Sequence, residues 1–186
     1  MTYLQENLVE KAQNGDEQAF YDLLEPLQNQ LYRMAYVYVQ NENDAIDIFQ
    51  QAMIRAYEGL PKLKEPQYFT TWMTRIVINC SKTYITKGQH TELTEPQAFD
   101  LLEAPSHERV EEELDLWQAL ASLDEKYKTV LLLRFYQDYT VREIAEIMAS
   151  PEGTVKTNIR RGLQRLRQQL KGAYIDDWVQ SVEGDD

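Results

Sequence analysis

Apolar residues recur every three or four positions along most of this chain, which is the spacing of one face of an α-helix. The pattern fails between Gln89 and about Glu108, a stretch that contains Pro96, Pro105 and many acids. No segment has the strict alternation of a strand, and glycine and proline are sparse. The sequence therefore predicts an all-α protein with two small helical domains joined by an acidic linker.

The break in the pattern sets the domain boundaries. We predict a first helical domain over residues 1–88, an acidic linker over 89–110, a second helical domain over 111–172 and an acidic tail over 173–186. Because no apolar run reaches the roughly 18 residues of a membrane span, we expect no membrane insertion. The first residues lack the basic start and apolar core of a secretion signal, so we expect the chain to be cytoplasmic.

Three helices are predicted in the first domain. Asp16 is expected to cap a helix that Pro26 kinks or restarts. A second helix is expected from about Asp44 to Leu60. A third is expected to begin at Thr70 or Thr71, because either hydroxyl can accept a hydrogen bond from the first free backbone N–H groups.

The charge of the chain is unevenly distributed. Its net charge of −12 argues against nucleic acid when taken alone, because phosphates repel an acidic surface. Residues 68–87 carry three basic groups and residues 154–171 carry six, with no acid in either stretch. Since charges are screened beyond roughly 8 Å at cellular salt, local charge governs contact, and both stretches are candidates for binding nucleic acid. Charge alone does not separate this interpretation from two solvated helix faces that happen to be basic.

The residues that catalysis would require are not arranged for it. His90 and His107 both lie in the predicted linker, and no Cys/His cluster has the spacing of metal ligands. No glycine-rich phosphate loop occurs, and the carboxylates give no sign of a desolvated pair. The single cysteine, Cys80, has no partner for an internal disulfide, which fits a reducing cytoplasm. We therefore expect no enzyme activity, no metal site and no cofactor.

Residues 140–171 have the pattern of a helix-turn-helix. Thr140 and Glu143 have the spacing of a capping box at the start of the first helix. Residues 149–151, Ala-Ser-Pro, form a short turn, and a long helix follows from residue 153 to 171.

The long helix divides into two faces at 100° per residue. An arc of roughly 80° holds the apolar residues Val155, Ile159, Leu163, Leu166 and Leu170. The opposite side holds the polar and basic residues Thr154, Lys156, Thr157, Asn158, Arg160, Arg161, Arg165 and Arg167. A recognition helix in the major groove requires this division, although a surface helix without special function could also show it.

The second domain resembles region 4 of bacterial RNA polymerase sigma factors over residues 117–171, which include WQALASLDEKYKTVLLLRFY, EIAEIM and GTVKTNIRRGLQRLRQQL. The resemblance implies binding to the promoter −35 element and to the flap of the polymerase β subunit. It implies DNA contacts from Lys156, Thr157, Asn158, Arg160 and Arg161, to which we add Thr154 and Arg165 from the same exposed face. Many members have proline where this chain has Asp124, and many have arginine in place of Asn158.

The first domain resembles region 2 of the extracytoplasmic-function sigma factors, with DAIDIFQQAMIRAYEGL at 44–60 and YFTTWMTRIVINCSKTY at 68–84. No region 3 occurs between the two domains, as is typical of that compact group. In the helix at 44–60 a stripe at helical spacing carries Asp47, Gln50, Gln51 and Ile54. The resemblance implies that this stripe binds the clamp coiled coil of the polymerase β′ subunit. Without the resemblance, the stripe reads as an ordinary solvated helix face.

The helix that follows is the candidate for the −10 element. One of its arcs carries Arg75, Asn79 and Lys82, and the segment before them carries Tyr68, Phe69, Thr70, Thr71 and Trp72. Cations beside aromatic rings suit single-stranded DNA, since the cations meet phosphates and the rings stack on bases. The resemblance implies capture of the melted non-template −10 strand here. Trp72 lies at the border of the apolar arc, and both a core role and a base-stacking role stay open.

These patterns together predict a sigma factor that binds core RNA polymerase and promoter DNA. The alternative is a stand-alone helix-turn-helix regulator that uses the second domain alone. The resemblance further implies a membrane-anchored anti-sigma partner. The acidic linker is expected either to lie in a basic polymerase channel or to serve as a solubilising spacer.

Overall fold

Helices make up all the regular structure in the part of the chain that the computed structural model describes, residues 3–88 and 116–170. The chain divides into two units, one within residues 1–97 and the other within residues 98–186. The prediction of an all-α protein with two helical domains is confirmed. The predicted linker, 89–110, and the predicted tail, 173–186, lie outside the described residues. Within the described ranges, no helix is long and apolar enough to cross a membrane.

Over residues 3–88, the described part of the first unit, there are five α-helices, α1 Tyr3–Gln13, α2 Glu17–Leu24, α3 Gln28–Val39, α4 Glu42–Gly59 and α5 Phe69–Thr86. Two short 3₁₀ turns, Leu60–Lys62 and Pro66–Tyr68, connect α4 to α5. The spacing of apolar residues did not predict α1, although Val9 and Ala12 of this helix are buried. Asp16 caps α2 as predicted, since its carboxylate accepts a hydrogen bond of 3.0 Å from the Ala19 N–H. Pro26 lies between α2 and α3, so the chain restarts there rather than kinks.

Helix α4 begins at Glu42, two residues before the predicted start at about Asp44. Asn41 is the N-cap, and its side chain accepts a hydrogen bond of 3.1 Å from the Asp44 N–H. The Asp44 side chain is buried inside the unit, where it accepts a hydrogen bond of 2.9 Å from the Tyr84 hydroxyl of α5. Asparagine is as good a cap as aspartate. The acids of the first turn, Glu42 and Asp44, then lie next to the positive N-terminal end of the helix dipole, which stabilises the helix.

The predicted threonine cap of α5 is wrong. The helix begins at Phe69, its N-cap is Tyr68, and no side chain caps it. The preceding 3₁₀ turn runs directly into the helix, so the first turn is already wound before Thr70. The helix ends with Lys87 as its C-cap, and Gly88 has the positive φ of 64° that favours glycine after a helix.

The core of the first unit forms where α4 packs against α3 and α5. Small residues on α4 let the neighbouring helices approach closely, namely Ala45, Ala52 and Ala56, all of them buried. Large side chains fill the remaining space, among them Leu31, Met34, Ile48, Phe69, Met73 and Val77. Helix α1 packs on α2 and on the two 3₁₀ turns, so it fixes the connection that leads into α5.

The second unit contains α6, described from residue 116 to 122, then α7 Glu125–Leu131, α8 Val141–Met148 and α9 Glu152–Gln169. A π-helical turn, Leu132–Tyr136, continues α7, and the Gln137 N–H closes it on the Leu132 carbonyl at 3.1 Å. The core of this unit includes Val130, Leu133, Ile144 and Leu166, all of them buried.

The helix-turn-helix prediction is confirmed in detail. Thr140 accepts a hydrogen bond of 3.3 Å from the Glu143 N–H, and the Glu143 carboxylate accepts one of 2.8 Å from the Thr140 N–H. Helix α8 ends at Ala149, whose left-handed backbone has a φ of 48°. Pro151 then opens α9 as its N-cap residue. The capping box thus fixes the start of α8, and the turn directs α9 across it.

Candidate nucleic-acid interface

Helix α9 turns one face to the core and the other to solvent. Val155, Leu163, Leu166 and Leu170 are buried, as their projection predicted, whereas Ile159 is only half-buried. Gly162 is also buried, and a Cβ at this position would lie 3.0 Å from Leu131 Cδ1. This glycine lets α9 lie close to α7. The close packing of α9 on α7 leaves its opposite side open to solvent.

The solvent face of α9 carries most of the predicted −35 residues. Thr154, Lys156, Arg160 and Arg161 are exposed, and Thr157 and Asn158 are half-buried. The Thr157 hydroxyl donates a hydrogen bond of 2.8 Å to the Gly153 carbonyl, so its oxygen remains an acceptor toward a ligand. The residues nearest the helix start therefore offer hydroxyl and amide groups, and the later turns offer guanidinium groups. This arrangement suits a recognition helix whose N-terminal residues contact base edges and whose later turns contact phosphates.

Arg165 of α9 makes two side-chain contacts with the start of α7. Its Nη1 lies 2.6 Å from Asp124 Oδ2, and its Cζ lies 4.6 Å from the centre of the Tyr127 ring. The guanidinium thus has both an anionic and an aromatic partner inside the second unit. Its predicted contact with DNA stays a prediction, to which the structure adds these two partners.

The start of α5 presents part of the predicted −10 surface. Tyr68, Arg75 and Asn79 are exposed, and Thr70, Thr71 and Lys82 are half-buried. Phe69 is only 1% exposed, so its ring belongs to the core and is not open to stacking on a base in this structure. Its contribution is to support the Trp72 ring, 6.1 Å away between centroids.

Trp72 is half-buried, between the core and the solvent-facing arc of α5. Its indole lies over Gly59 at the end of α4, where a Cβ would come within 3.1 Å of Cζ2. Gly59 therefore provides the room in which the indole rests. One part of the ring packs against α4 and Phe69 while another part faces solvent. A role in the core and a role in base stacking are therefore compatible for Trp72.

The connection before α5 is held by a residue of α1. Gln13 Nε2 donates hydrogen bonds to the carbonyls of Leu60, at 3.0 Å, and Leu63, at 2.7 Å. The two carbonyls bracket the first 3₁₀ turn, which precedes the exposed Tyr68. The sequence pattern did not find Gln13, since a single amide on a short amphipathic helix gives no periodic signal.

Helix α4 presents the predicted polymerase stripe to solvent. Asp47, Gln50, Gln51 and Ile54 are all exposed. Two further apolar residues of this helix, which were not predicted as site residues, are also exposed: Ile46 at 42% and Tyr57 at 41%. The predicted Ile54 is 55% exposed. They could have been found as the large apolar residues of α4 that do not fit its buried alanine stripe. The face therefore combines apolar groups with a polar surround.

A groove of about 290 Å³ separates the exposed sides of α4 and α5. It is lined by Asp47, Ile48, Gln51, Arg55, Cys80, Thr83, Tyr84 and Lys87. Burial raises the pKa of the Cys80 thiol, and the neighbouring Arg55 offsets part of this rise. Burial, together with the Asp44 carboxylate, raises the pKa of Tyr84 to about 12. Both groups stay protonated, and so uncharged, near neutral pH, and the acidic and basic side chains that line the groove are Asp47, Arg55 and Lys87.

Among residues 3–88 and 116–170, no three His, Cys, Asp or Glu side chains gather into a set that could hold a metal ion. The chemistry that the two exposed faces offer is recognition through hydrogen bonds, ion pairs and ring stacking.

Comparison with known proteins decides the family. The model of sigma-70 region 2 matches residues 23–91, and the model of sigma-70 region 4 matches residues 113–166. The chain belongs to the sigma-70 family, in its extracytoplasmic-function (ECF) group. The ECF RNA polymerase sigma factor SigW of Bacillus subtilis is 30% identical over 177 residues, which cover 88% of this chain and 95% of SigW. The RNA polymerase sigma factor SigV of the same species is 31% identical over 139 residues, 75% of this chain and 83% of SigV.

Solved structures share the fold of this sigma factor. The structure of CnrH in complex with the cytosolic domain of CnrY superimposes with a TM-score of 0.66 at 20% identity, over 88% of this chain and 94% of that one. The structure of the sigma factor RpoE of Bartonella quintana, in complex with the anti-sigma factor NepR, superimposes with a TM-score of 0.64 at 17% identity. The match covers 81% of this chain and 97% of that one. As a sigma factor, the protein binds core RNA polymerase and directs promoter-specific initiation of transcription. The match to region 2 removes support from a regulator that would use the second domain alone.

Proposed function

We propose that the solvent face of α9 reads the promoter −35 element. The supporting observation is an exposed basic face that carries no acid over residues 154–169, on a chain whose net charge is −12. Thr154, Lys156 and Asn158 lie nearest the helix start and are assigned to base edges, with the Thr157 oxygen beside them. Arg160 and Arg161 are assigned to phosphates or to guanine edges.

The start of α5 is proposed to hold the melted non-template −10 strand. Tyr68 and the exposed part of Trp72 stack on unpaired bases, while Arg75, Asn79 and Lys82 contact the backbone. Phe69 acts from the core by supporting the Trp72 ring. Capture of unpaired bases opens the duplex without an energy source other than binding, because contacts to the strand offset the lost stacking.

The exposed face of α4 is proposed to dock on the clamp coiled coil of the polymerase β′ subunit. Asp47, Gln50 and Gln51 supply polar contacts, and Ile46, Ile54 and Tyr57 supply the apolar centre. Three large apolar side chains grouped on one helix face, surrounded by polar residues, have the composition of a protein interface. The second unit is assigned to the flap of the β subunit.

The remaining assignments follow from the family. The structure that contains RpoE also contains the anti-sigma factor NepR, and we propose an anti-sigma partner, anchored in the membrane, for this chain as well. We further propose that the protein is cytoplasmic and acts by binding, with no catalytic step of its own. The domains at 1–88 and 111–172, the linker at 89–110 and the tail at 173–186 are retained as proposals.

Run-off transcription with reconstituted core polymerase tests this function. We expect selective transcripts when the chain is added to core enzyme, and weak binding to duplex DNA without core enzyme. Tight binding of the isolated chain to duplex sites, with no effect on core polymerase, would instead support a stand-alone regulator.

Two substitutions test the two DNA surfaces separately. Arg161→Ala should reduce −35-dependent transcription at limiting protein, whereas Arg142→Ala, which removes an equal charge from α8, should leave the yield unchanged. Trp72→Ala should reduce promoter opening, measured by permanganate reactivity, more than it reduces polymerase binding. Trp72→Phe, which keeps an aromatic face, should recover part of the opening. Equal loss of opening and of polymerase binding would show that Trp72 acts only through folding.

A further inference from the structure

An ion pair joins Asp124, the N-cap residue of α7, to Arg165 of α9. We propose that Asp124 is a positioning residue that withholds Arg165 from DNA and so sets the affinity and the salt response of −35 binding. The inference rests on the proposed role of α9 as the −35 reader. Arg165 Nη1 lies 2.6 Å from Asp124 Oδ2, and the two side chains are 49% and 57% exposed.

The side chain of Asp124 does not do what its position in the helix predicts. Asp124 is the N-cap residue of α7, and its carbonyl accepts hydrogen bonds from the N–H groups of Tyr127, at 2.9 Å, and Lys128, at 3.0 Å. Aspartate at this position ordinarily also caps the helix with its carboxylate. Here the side chain makes no cap hydrogen bond and reaches instead to a residue 41 positions later. The carboxylate is therefore committed to α9 rather than to its own helix.

Arg165 lies on the same side of α9 as a proposed DNA contact. It follows the exposed Arg161 by one helical turn, so the two guanidinium groups lie on the same side of α9. Its Cζ is 4.6 Å from the centre of the Tyr127 ring, a stacking contact that holds the guanidinium at this edge whether or not the carboxylate is present. Arg165 is thus poised beside the proposed DNA surface, with its charge already neutralised.

A phosphate and the Asp124 carboxylate compete for one guanidinium. An exposed ion pair is weak, so the carboxylate lowers the gain from a phosphate contact without blocking it. The carboxylate also adds a negative charge beside the DNA backbone, which opposes binding in the same direction. Removing the carboxylate should therefore tighten DNA binding, and the gain should depend on Arg165.

The test uses the full chain in fluorescence anisotropy titrations over a range of salt concentrations. The probes are a duplex with the −35 region of a promoter that the reconstituted holoenzyme transcribes, and a scrambled duplex of the same length. Asp124→Asn keeps the size and the capping ability of the side chain but loses its charge. We expect about two- to fivefold tighter binding to both duplexes, the range that exposed ion pairs give. The plot of log affinity against log salt should steepen by up to about 0.9, the value for one added phosphate contact.

Three variants show that the effect passes through Arg165. Asp124→Glu keeps the carboxylate and should bind like the unchanged protein. Asp124→Asn should tighten binding much less in a chain that also carries Arg165→Gln, because the competed cation is gone and only the repulsion between carboxylate and phosphate is relieved. Glu146→Gln removes the same charge from an exposed pair with Arg142 on α8, and it should not change the salt slope. Thermal unfolding confirms that each variant folds.

The outcomes separate this inference from the function on which it rests. If Arg161→Ala leaves binding to the −35 duplex unchanged, α9 is not the reader and the proposed function fails. If Arg161→Ala weakens binding but Asp124→Asn has no effect, only the inference is overturned. The same holds if the Asn variant tightens binding equally with and without Arg165, since a general charge effect would then explain the gain.

Discussion

Lys128 should make the stability of the second unit depend on pH. Its side chain lies on α7 and the residue is only 7% exposed. Burial lowers its pKa from 10.5 to about 8, and the nearby Glu125 opposes part of this fall. The unfolded chain therefore holds this proton more tightly than the folded one, and stability rises with pH between about 8 and 10.5. Near neutral pH the fall in pKa corresponds to a cost of about 3 kcal/mol, taken as an upper bound.

Lys128→Met should remove this cost while it keeps the length of the buried stem. We expect the variant to be more stable near pH 7 by as much as about 3 kcal/mol. The advantage should shrink by about 2 kcal/mol between about pH 7 and about pH 9.5, because the buried lysine of the unchanged protein loses its proton over that range. Lys126→Met is the matched control, since this neighbouring lysine is exposed and carries the same charge.

Urea unfolding at several pH values measures the difference. Trp117 is a local probe, because its ring makes an edge-to-face contact of 5.1 Å with Tyr136 of the π turn. Trp72→Phe and Trp178→Phe remove the other tryptophans from the signal. If the gain in stability of Lys128→Met is independent of pH, or equals that of Lys126→Met, burial does not lower the pKa of Lys128 and the reasoning is wrong.

Three further substitutions test local features of the fold. Thr140→Ala removes the capping box and should cost about 1 kcal/mol, which lowers the melting temperature of the second unit by roughly 4–8 °C; an unchanged melting temperature would contradict this. Ala149→Gly relieves a left-handed residue at the turn and should stabilise the unit by about 0.5–1 kcal/mol, whereas a loss would show that the strain is absent. Gln13→Ala should destabilise the first unit by about 1–2 kcal/mol and weaken binding of a single-stranded −10 oligonucleotide. Asn14→Ala, whose amide bonds only within α1, should not change oligonucleotide binding.

The parts of the fold that were predicted correctly depend on local signals. The spacing of Thr140 and Glu143, followed by the turn at 149–151, is enough to place the helix-turn-helix, because capping and turn formation involve neighbours in the chain. Pro26 marked a break for the same reason, since its ring and its missing N–H act on the adjacent turn.

The parts that were missed depend on tertiary contacts. Asp44 and Asn41 are both good caps, and the hydrogen bond that the buried Asp44 accepts from Tyr84 on α5 is a contact between residues 40 positions apart that no local pattern shows. The burial of Phe69 could not be read from an aromatic segment that also contains the exposed Tyr68. The pair of Asp124 with Arg165 joins residues 41 positions apart, and no periodicity connects them.

Helices α4 and α5 pack against each other, and the hydrogen bond from Tyr84 to Asp44 joins them directly. One of them carries the proposed polymerase face and the other carries the proposed −10 face, so two ligands bind to neighbouring helices of a shared core. Thermodynamic linkage then imposes reciprocity. If binding of the polymerase to α4 raises the affinity of α5 for the melted strand by some factor, binding of the melted strand must raise the affinity of α4 for the polymerase by the same factor.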